Sequence, residues 1–164
     1  MIVLQHTAQY KPQNKNLLLY LYRMVTINIS RTQADYGFEA IDETGKKIHM
    51  DTSPEGGGNN YGVRPMQALL MALGGCSGID IVSILKKQRQ DFVNIKMIIS
   101  GEREQNKVPA LWEKVHVHFN IMGNVDIEKA KHAAGLSIDK YCSVAETLRR
   151  AGCAITWNVE VNAE

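Results

Sequence analysis

Cysteine is scarce in this chain, with three in 164 residues. So small and odd a number does not describe a disulfide-stapled secreted scaffold and fits a reducing cytoplasm. Excess charge is equally small, +2 at pH 7 with histidine neutral. Lys11, Lys15 and Arg23 have no acidic counterpart among residues 1–23, so the rest of the chain is nearly neutral. That balance offers no broad nucleic-acid footprint, and no nucleic-acid partner is expected. The apolar segment LLLYLYRMV at 17–25 is too short to span a bilayer and is broken by Arg23, so no membrane partner is expected either. Internal repeats and low-complexity segments are absent. The length excludes two large domains and suits one compact domain with a real core. Met24 opens a strand-like segment cleanly, so residues 1–23 are expected to be an added arm or an upstream start, and residues 24–164 the domain.

What is present reads as an ordered series of elements. Val25, Ile27 and Ile29 alternate with polar neighbours, which describes a half-buried strand; Tyr36 to Ile41 and Ile48 to Met50 continue the pattern as a meander. SPEGGGNN at 53–60 is too rich in glycine for regular structure, and ordering it has an entropic cost that a nearby ligand or partner would justify. Pro65 suits a first helical turn, and from Met66 to about Gln88 apolar residues recur on most sides of a long predicted helix. So apolar a helix should be central, covered by a sheet and by another subunit. Gly74, Gly75 and Gly78 lower its propensity, and their expected use is the close approach of another backbone beside Cys76. Two strands follow, Asn94 to Arg103 and Lys114 to Asn120, then a helix from Asp126 to about Ile138. Ser143-x-x-Glu146 has the form of a capping box opening a further helix that stops at Gly152, and Ile155, Trp157, Val159 and Val161 define a last strand. The order βββ-α-ββ-αα-β, with hairpins predominating, argues for an α+β fold.

Two thiols carry the chemical interest. Cys142 immediately precedes the predicted cap Ser143, where unpaired helix N–H groups would favour a thiolate. Cys76 lies mid-helix on an apolar surface, which taken alone describes a small buried hydrophobe as readily as a reactive group. Cys153, just after Gly152, reads as core filling. A thiol peroxidase needs an attacking thiolate, a group that holds it, and a second thiol to capture the sulfenic acid; sequence alone does not bring Cys76 and Cys142 within bonding distance.

PMQALLMALGGCSGIDIVSILKK and KYCSVAETLRRAG closely resemble the OsmC/Ohr family of osmotically induced and organic hydroperoxide resistance proteins, in its less-characterised redox branch. The resemblance runs from about Met24 to the C-terminus. It implies a two-layer fold with antiparallel sheets around a long central helix, built as an intertwined homodimer with active sites at the subunit boundary. It further implies reduction of organic hydroperoxides, with Cys76 as the attacking cysteine and Cys142 as the resolving one. Reset by a dithiol reductant, including lipoylated proteins, would follow, with no cofactor. The chain departs from the well-characterised peroxidases in two places. Where those place a Glu after the helix-opening Pro to hold an active-site Arg, this chain has Met66 and then Gln67; Gln67 can offer hydrogen bonds but no charge. Where they commonly place Pro after the second cysteine, it has Ser143. Arg31 is the nearest candidate for the family Arg, with Arg64 as the alternative.

The remaining polar groups have plain readings. His116 and His118 stand two apart on one strand face, a ligand spacing that an exposed sheet face explains equally, and no metal site is expected. Tyr61 and Asn60 could border the Cys76 pocket, and Asp80 is expected to be structural. The apolar central helix suits an alkyl or fatty-acid hydroperoxide better than hydrogen peroxide. The competing expectation is a diverged dimer that binds an apolar ligand or senses redox state.

Overall fold

The computed structural model describes residues 25–163; the expected arm at 1–23 and the expected domain start at Met24 lie outside the described residues. Strands β1 (Asn28–Gln33), β2 (Gly37–Ile41) and β3 (Lys47–Met50) form an antiparallel meander. A short 3₁₀ turn (Pro54–Gly56) leads to the long helix α1 (Pro65–Lys87), followed by the hairpin of β4 (Asp91–Arg103) and β5 (Trp112–Asn124). Helix α2 (Ile127–Leu136), a π turn (Ser137–Tyr141), helix α3 (Ser143–Arg150) and strand β6 (Ala154–Asn162) complete the chain. The α+β order expected from the sequence is the observed one. The second sheet, in the order β4-β5-β6, corrects the expectation of purely antiparallel sheets, because β6 runs parallel to β5. The connection from β5 crosses through α2 and α3 and re-enters in the same direction, which only a long crossover permits.

The core lies between this mixed sheet and the helices. Val115, Val117, Phe119 and Ile121 alternate inward along β5, while α1 contributes the stripe Leu73, Ser77, Ile81 and Leu85. Among the described residues α1 is the one helix long and apolar enough to cross a membrane. Here it is a core helix, packed against β4, α2 and α3. Phe119 is the largest fully buried side chain, so Phe119→Ala is expected to destabilise the fold by about 3–5 kcal/mol, measured by chemical denaturation against the parent.

The glycines of α1 correct another expectation. A Cβ on Gly74 would sit 2.9 Å from Ile99 Cδ1, and one on Gly78 would sit 2.9 Å from Met97 Cε. The close approach is therefore by side chains of β4 rather than by another backbone. Gly75 faces open space.

The N-terminal sheet is amphipathic. Ile29, Phe38, Ala40, Ile48 and Met50 share one face through their registers, and Glu39, Lys47 and His49 share the other. Every residue of β1 is exposed, and Val25, Ile27 and Ile29 remain 49–71% exposed, so the strand read as half-buried is uncovered in the single chain. This sheet meets the rest of the chain around the start of α1, where Met50 and Val63 form a bridge.

The glycine-rich turn at 53–60 is ordered by Asp51, a residue to which no sequence signal pointed. Its buried carboxylate accepts from the N–H groups of Thr52 (2.8 Å), Asn59 (2.9 Å) and Tyr61 (3.0 Å). These donors, Tyr61 foremost, hold its carboxyl below the usual carboxylate range.

Candidate functional site

The site is built where the middle of α1 meets the entry to α3. Cys76, half-buried, lies beside the inward stripe of α1. Cys142 is buried at the N-cap of α3, with extended backbone, and its sulfur accepts from Ala145 N–H at 3.4 Å. Its thiol lies next to that of Cys76, close enough for the two to influence each other. The fold thus brings together two cysteines whose separation in sequence said nothing, and both are free thiols.

Two expectations about α3 are corrected. Cys142 itself takes the cap position assigned to Ser143, which becomes the first helical residue. Glu146 does not reach back to complete a capping box; it pairs with Arg150 at 2.7 Å. The expectation that helix N–H groups favour a Cys142 thiolate also fails. Burial pushes the thiol up to about 11, the neighbouring Cys76 adds to the rise, and the Ala145 N–H only partly opposes them. Cys142 therefore keeps its proton at neutral pH. Cys153 is buried, as core filling should be, and burial raises its thiol too.

A π turn presents Cys142. Its N–H donates to the Ser137 carbonyl five residues back at 2.8 Å. Ser137 is fully buried, and its hydroxyl faces Asp80 Oδ2 at 3.1 Å and the Ser77 carbonyl at 3.2 Å. Asp80 therefore holds the turn that carries Cys142. Neither Ser77 nor Ser137 was singled out from the sequence, since a buried serine leaves no periodic signal.

The other candidates lie elsewhere. Met66 and Arg64 line a cavity of about 520 Å³ between α1's first turn and the N-terminal sheet, with Phe38, Met50 and Arg103 on its walls. The Met66 carbonyl accepts from Trp112 Nε1 at 3.1 Å. Gln67 opens instead onto a groove of about 720 Å³ that runs past Met71, Gly74 and Gly75 beside Met97 and Ile99. Tyr61 does not border the cysteines: its ring stacks on His49 at 4.5 Å, and its hydroxyl accepts from Thr32 at 3.2 Å. Arg31 stands on the apolar face of β1 opposite Phe38, exposed and without a hydrogen bond or ion pair to either cysteine among the described residues. His116 and His118 sit on the outer face of β5, where their rings contact Asn158 Oδ1 at 2.9 and 3.1 Å; His116 also contacts Thr156. Among the described residues no three His, Cys, Asp or Glu side chains cluster to hold a metal.

Residues 56–158 match the family model described as OsmC-like protein. The chain belongs to the OsmC/Ohr family. It is similar to protein YhfA of Escherichia coli, with 41% identity over 122 residues that cover 73% of this chain and 86% of YhfA. Its OsmC-like fold is shared with a hypothetical protein from Aquifex aeolicus at TM-score 0.70 and 28% identity, covering 84% of this chain and 97% of that one. An organic hydroperoxide resistance protein OsmC from Legionella pneumophila, described as a predicted redox protein, superposes at TM-score 0.64 with 15% identity, covering 85% and 98% of the two chains. At that identity the likeness is one of fold.

Proposed function

We propose that this OsmC-like chain is a thiol-dependent, peroxidase-like redox protein that reduces organic hydroperoxides to alcohols through Cys76 and Cys142. The observation that carries the reading is the adjacency of the two thiols, one at the middle of α1 and one at the cap of α3. Cys76 thiolate attacks the outer peroxide oxygen; the O–O bond breaks, the alkoxide takes a proton and leaves as alcohol, and Cys76 becomes a sulfenic acid. Cys142 sulfur then attacks Cys76 sulfur, the S–O bond breaks, and the hydroxyl leaves as water with the thiol proton. A dithiol, of the kind a lipoylated protein carries, reduces the disulfide. The groove along α1, lined by Leu70, Met71, Met97 and Ile99, favours a hydrocarbon substituent on the peroxide. A reducing, cytoplasmic compartment would keep both thiols available.

The reading is tested by following cumene hydroperoxide and hydrogen peroxide consumption with dihydrolipoamide. Fast loss of the organic peroxide, and slower loss of hydrogen peroxide, is expected; no loss above the reductant-only control would sink the peroxidase reading.

One observation favours a second reading. Met66 occupies the place of a charged residue and lines an apolar cavity, which suits a diverged dimer that binds an apolar ligand or senses redox state. Saturable ligand binding without turnover would support it.

The proposed partner is a second copy of the chain. The apolar face of the N-terminal sheet and the outward Met71 and Ile79 of α1, 53% and 70% exposed, form more uncovered apolar surface than a monomer ordinarily keeps. Sedimentation is expected to give twice the 18.3 kDa chain mass, and a monomer at micromolar concentration would contradict it.

A further inference from the structure

We infer that Asp80 is a positioning residue for the disulfide-forming step, acting through Ser137 on Cys142. Asp80 lies one helical turn beyond Cys76 on the same side of α1, so the two side chains project together from that face. Its Oδ2 accepts the Ser137 hydroxyl at 3.1 Å, and the Ser137 carbonyl accepts the Cys142 N–H at 2.8 Å. Three residues therefore connect the helix that carries Cys76 to the backbone that carries Cys142. The link passes through a buried serine and a single π turn, where few competing hydrogen bonds from water are available.

The turn has a second polar anchor, and its direction matters. Arg149 donates to the Ile138 carbonyl and to Asp139, each at 2.7 Å. Arg149 belongs to α3, the helix that Cys142 itself caps, so this anchor fixes the turn to Cys142's own element and not to Cys76's. Among the hydrogen bonds of the described residues, those that tie the turn to α1 come from the Ser137 hydroxyl, to Asp80 and, at 3.2 Å, to the Ser77 carbonyl. A hydroxyl has one proton to donate, and a carboxylate is the stronger acceptor. With Asp80 in place, that proton is committed to the charged partner and the turn is held in one position against α1.

The inference rests on Cys76 and Cys142 being a redox pair. In the closing step Cys142 sulfur attacks the sulfur of Cys76 sulfenic acid; the S–S bond forms, the S–O bond breaks, and water leaves with the thiol proton. The rate depends on holding the attacking sulfur in line, which is what the Asp80–Ser137 link does. Peroxide attack on Cys76, which precedes this step, does not depend on it.

The test is the equilibrium of the Cys76–Cys142 disulfide against reduced and oxidised glutathione, combined with dimedone trapping of Cys76 after one equivalent of cumene hydroperoxide. D80N keeps an oxygen that accepts from Ser137 but loses the charge, and is expected to fall between the parent and D80A, at about threefold. D80A and S137A are expected to lower the effective concentration of the pair by about tenfold, the scale of one charge-assisted hydrogen bond. Both should leave Cys76 sulfenic acid long-lived enough to trap, and the double variant should be no worse than S137A. Buried Cys153 serves as the internal control, since its alkylation rate reports general loosening. Closure at the parent rate in D80A and S137A would overturn the assignment. So would a D80N as impaired as D80A, or an effect that appears only together with Cys153 exposure. The glutathione equilibrium needs no peroxide, so a parent protein that closes the disulfide but consumes no hydroperoxide fails the peroxidase reading alone. A parent that never forms the disulfide removes the pair and the assignment together.

Discussion

Cys76→Ser is expected to consume no cumene hydroperoxide above the dihydrolipoamide control, a loss of roughly a thousandfold or more, as befits deletion of a reacting nucleophile. A serine hydroxyl stays protonated at neutral pH and is a poor attacker of the O–O bond. The substitution is nearly isosteric, so the surrounding packing of α1 should survive it. Cys142 cannot take over, because its sulfur is buried and burial, the first cause of its raised thiol, remains when Cys76 is replaced. A variant retaining half the parent activity would move the nucleophile away from Cys76.

Cys142→Ser should separate the two halves of the cycle. The first equivalent of peroxide is expected to be reduced at close to the parent rate, because attack by Cys76 needs no second thiol. Sustained turnover should then fail, with Cys76 gaining first one and then two oxygen atoms by mass as the uncaptured sulfenic acid oxidises further. The raised thiol of Cys142 also sets a pH dependence in the parent. Burial, the first cause of the raised thiol, persists in the closing step, so Cys142 is largely protonated at neutral pH and, attacking as thiolate, should close the disulfide faster at pH 8 than at pH 7. Sign matters equally for stability: a thiol raised in the folded state stabilises the fold below its ordinary value of 9.0, and that contribution is lost as pH rises through about 11. Closure indifferent to pH over that range would mean that Cys142 does not attack as a free thiolate.

Element order was legible in the sequence because most elements carry strong periodicity or punctuation. Val115, Val117, Phe119 and Ile121 announce β5 by alternation, and Pro65 with the basic pair Lys86 and Lys87 brackets α1. The direction of β6 was not legible, since strand pattern carries no information on whether a crossover returns parallel. The cap of α3 was misplaced by one residue because Ser143 is the commoner capping type, while the chain leaves its π turn already extended at Cys142. The chemistry of Cys142 was read backwards for a related reason. Sequence shows the helix N-terminus but not the burial, and burial is the larger effect.

The site was legible only in part. Resemblance singled out Cys76 and Cys142, and the fold places their thiols side by side. The neighbours that organise them, Ser77, Asp80 and Ser137, come from α1 and from the turn before α3, and of these the sequence pointed to Asp80 alone, as a structural residue. Tyr61 was drawn toward the cysteines by its place in a glycine-rich turn. In the structure that turn wraps around Asp51 and leaves Tyr61 stacked on His49.

The central claim is that Cys76 and Cys142 form one redox pair. Its most direct test is peptide mass mapping of the protein, without reduction, after one equivalent of cumene hydroperoxide. The account predicts a single intramolecular Cys76–Cys142 disulfide formed in proportion to alcohol released, with Cys153 still a free thiol. Peroxide loss without that disulfide, or a disulfide that involves Cys153, would contradict it.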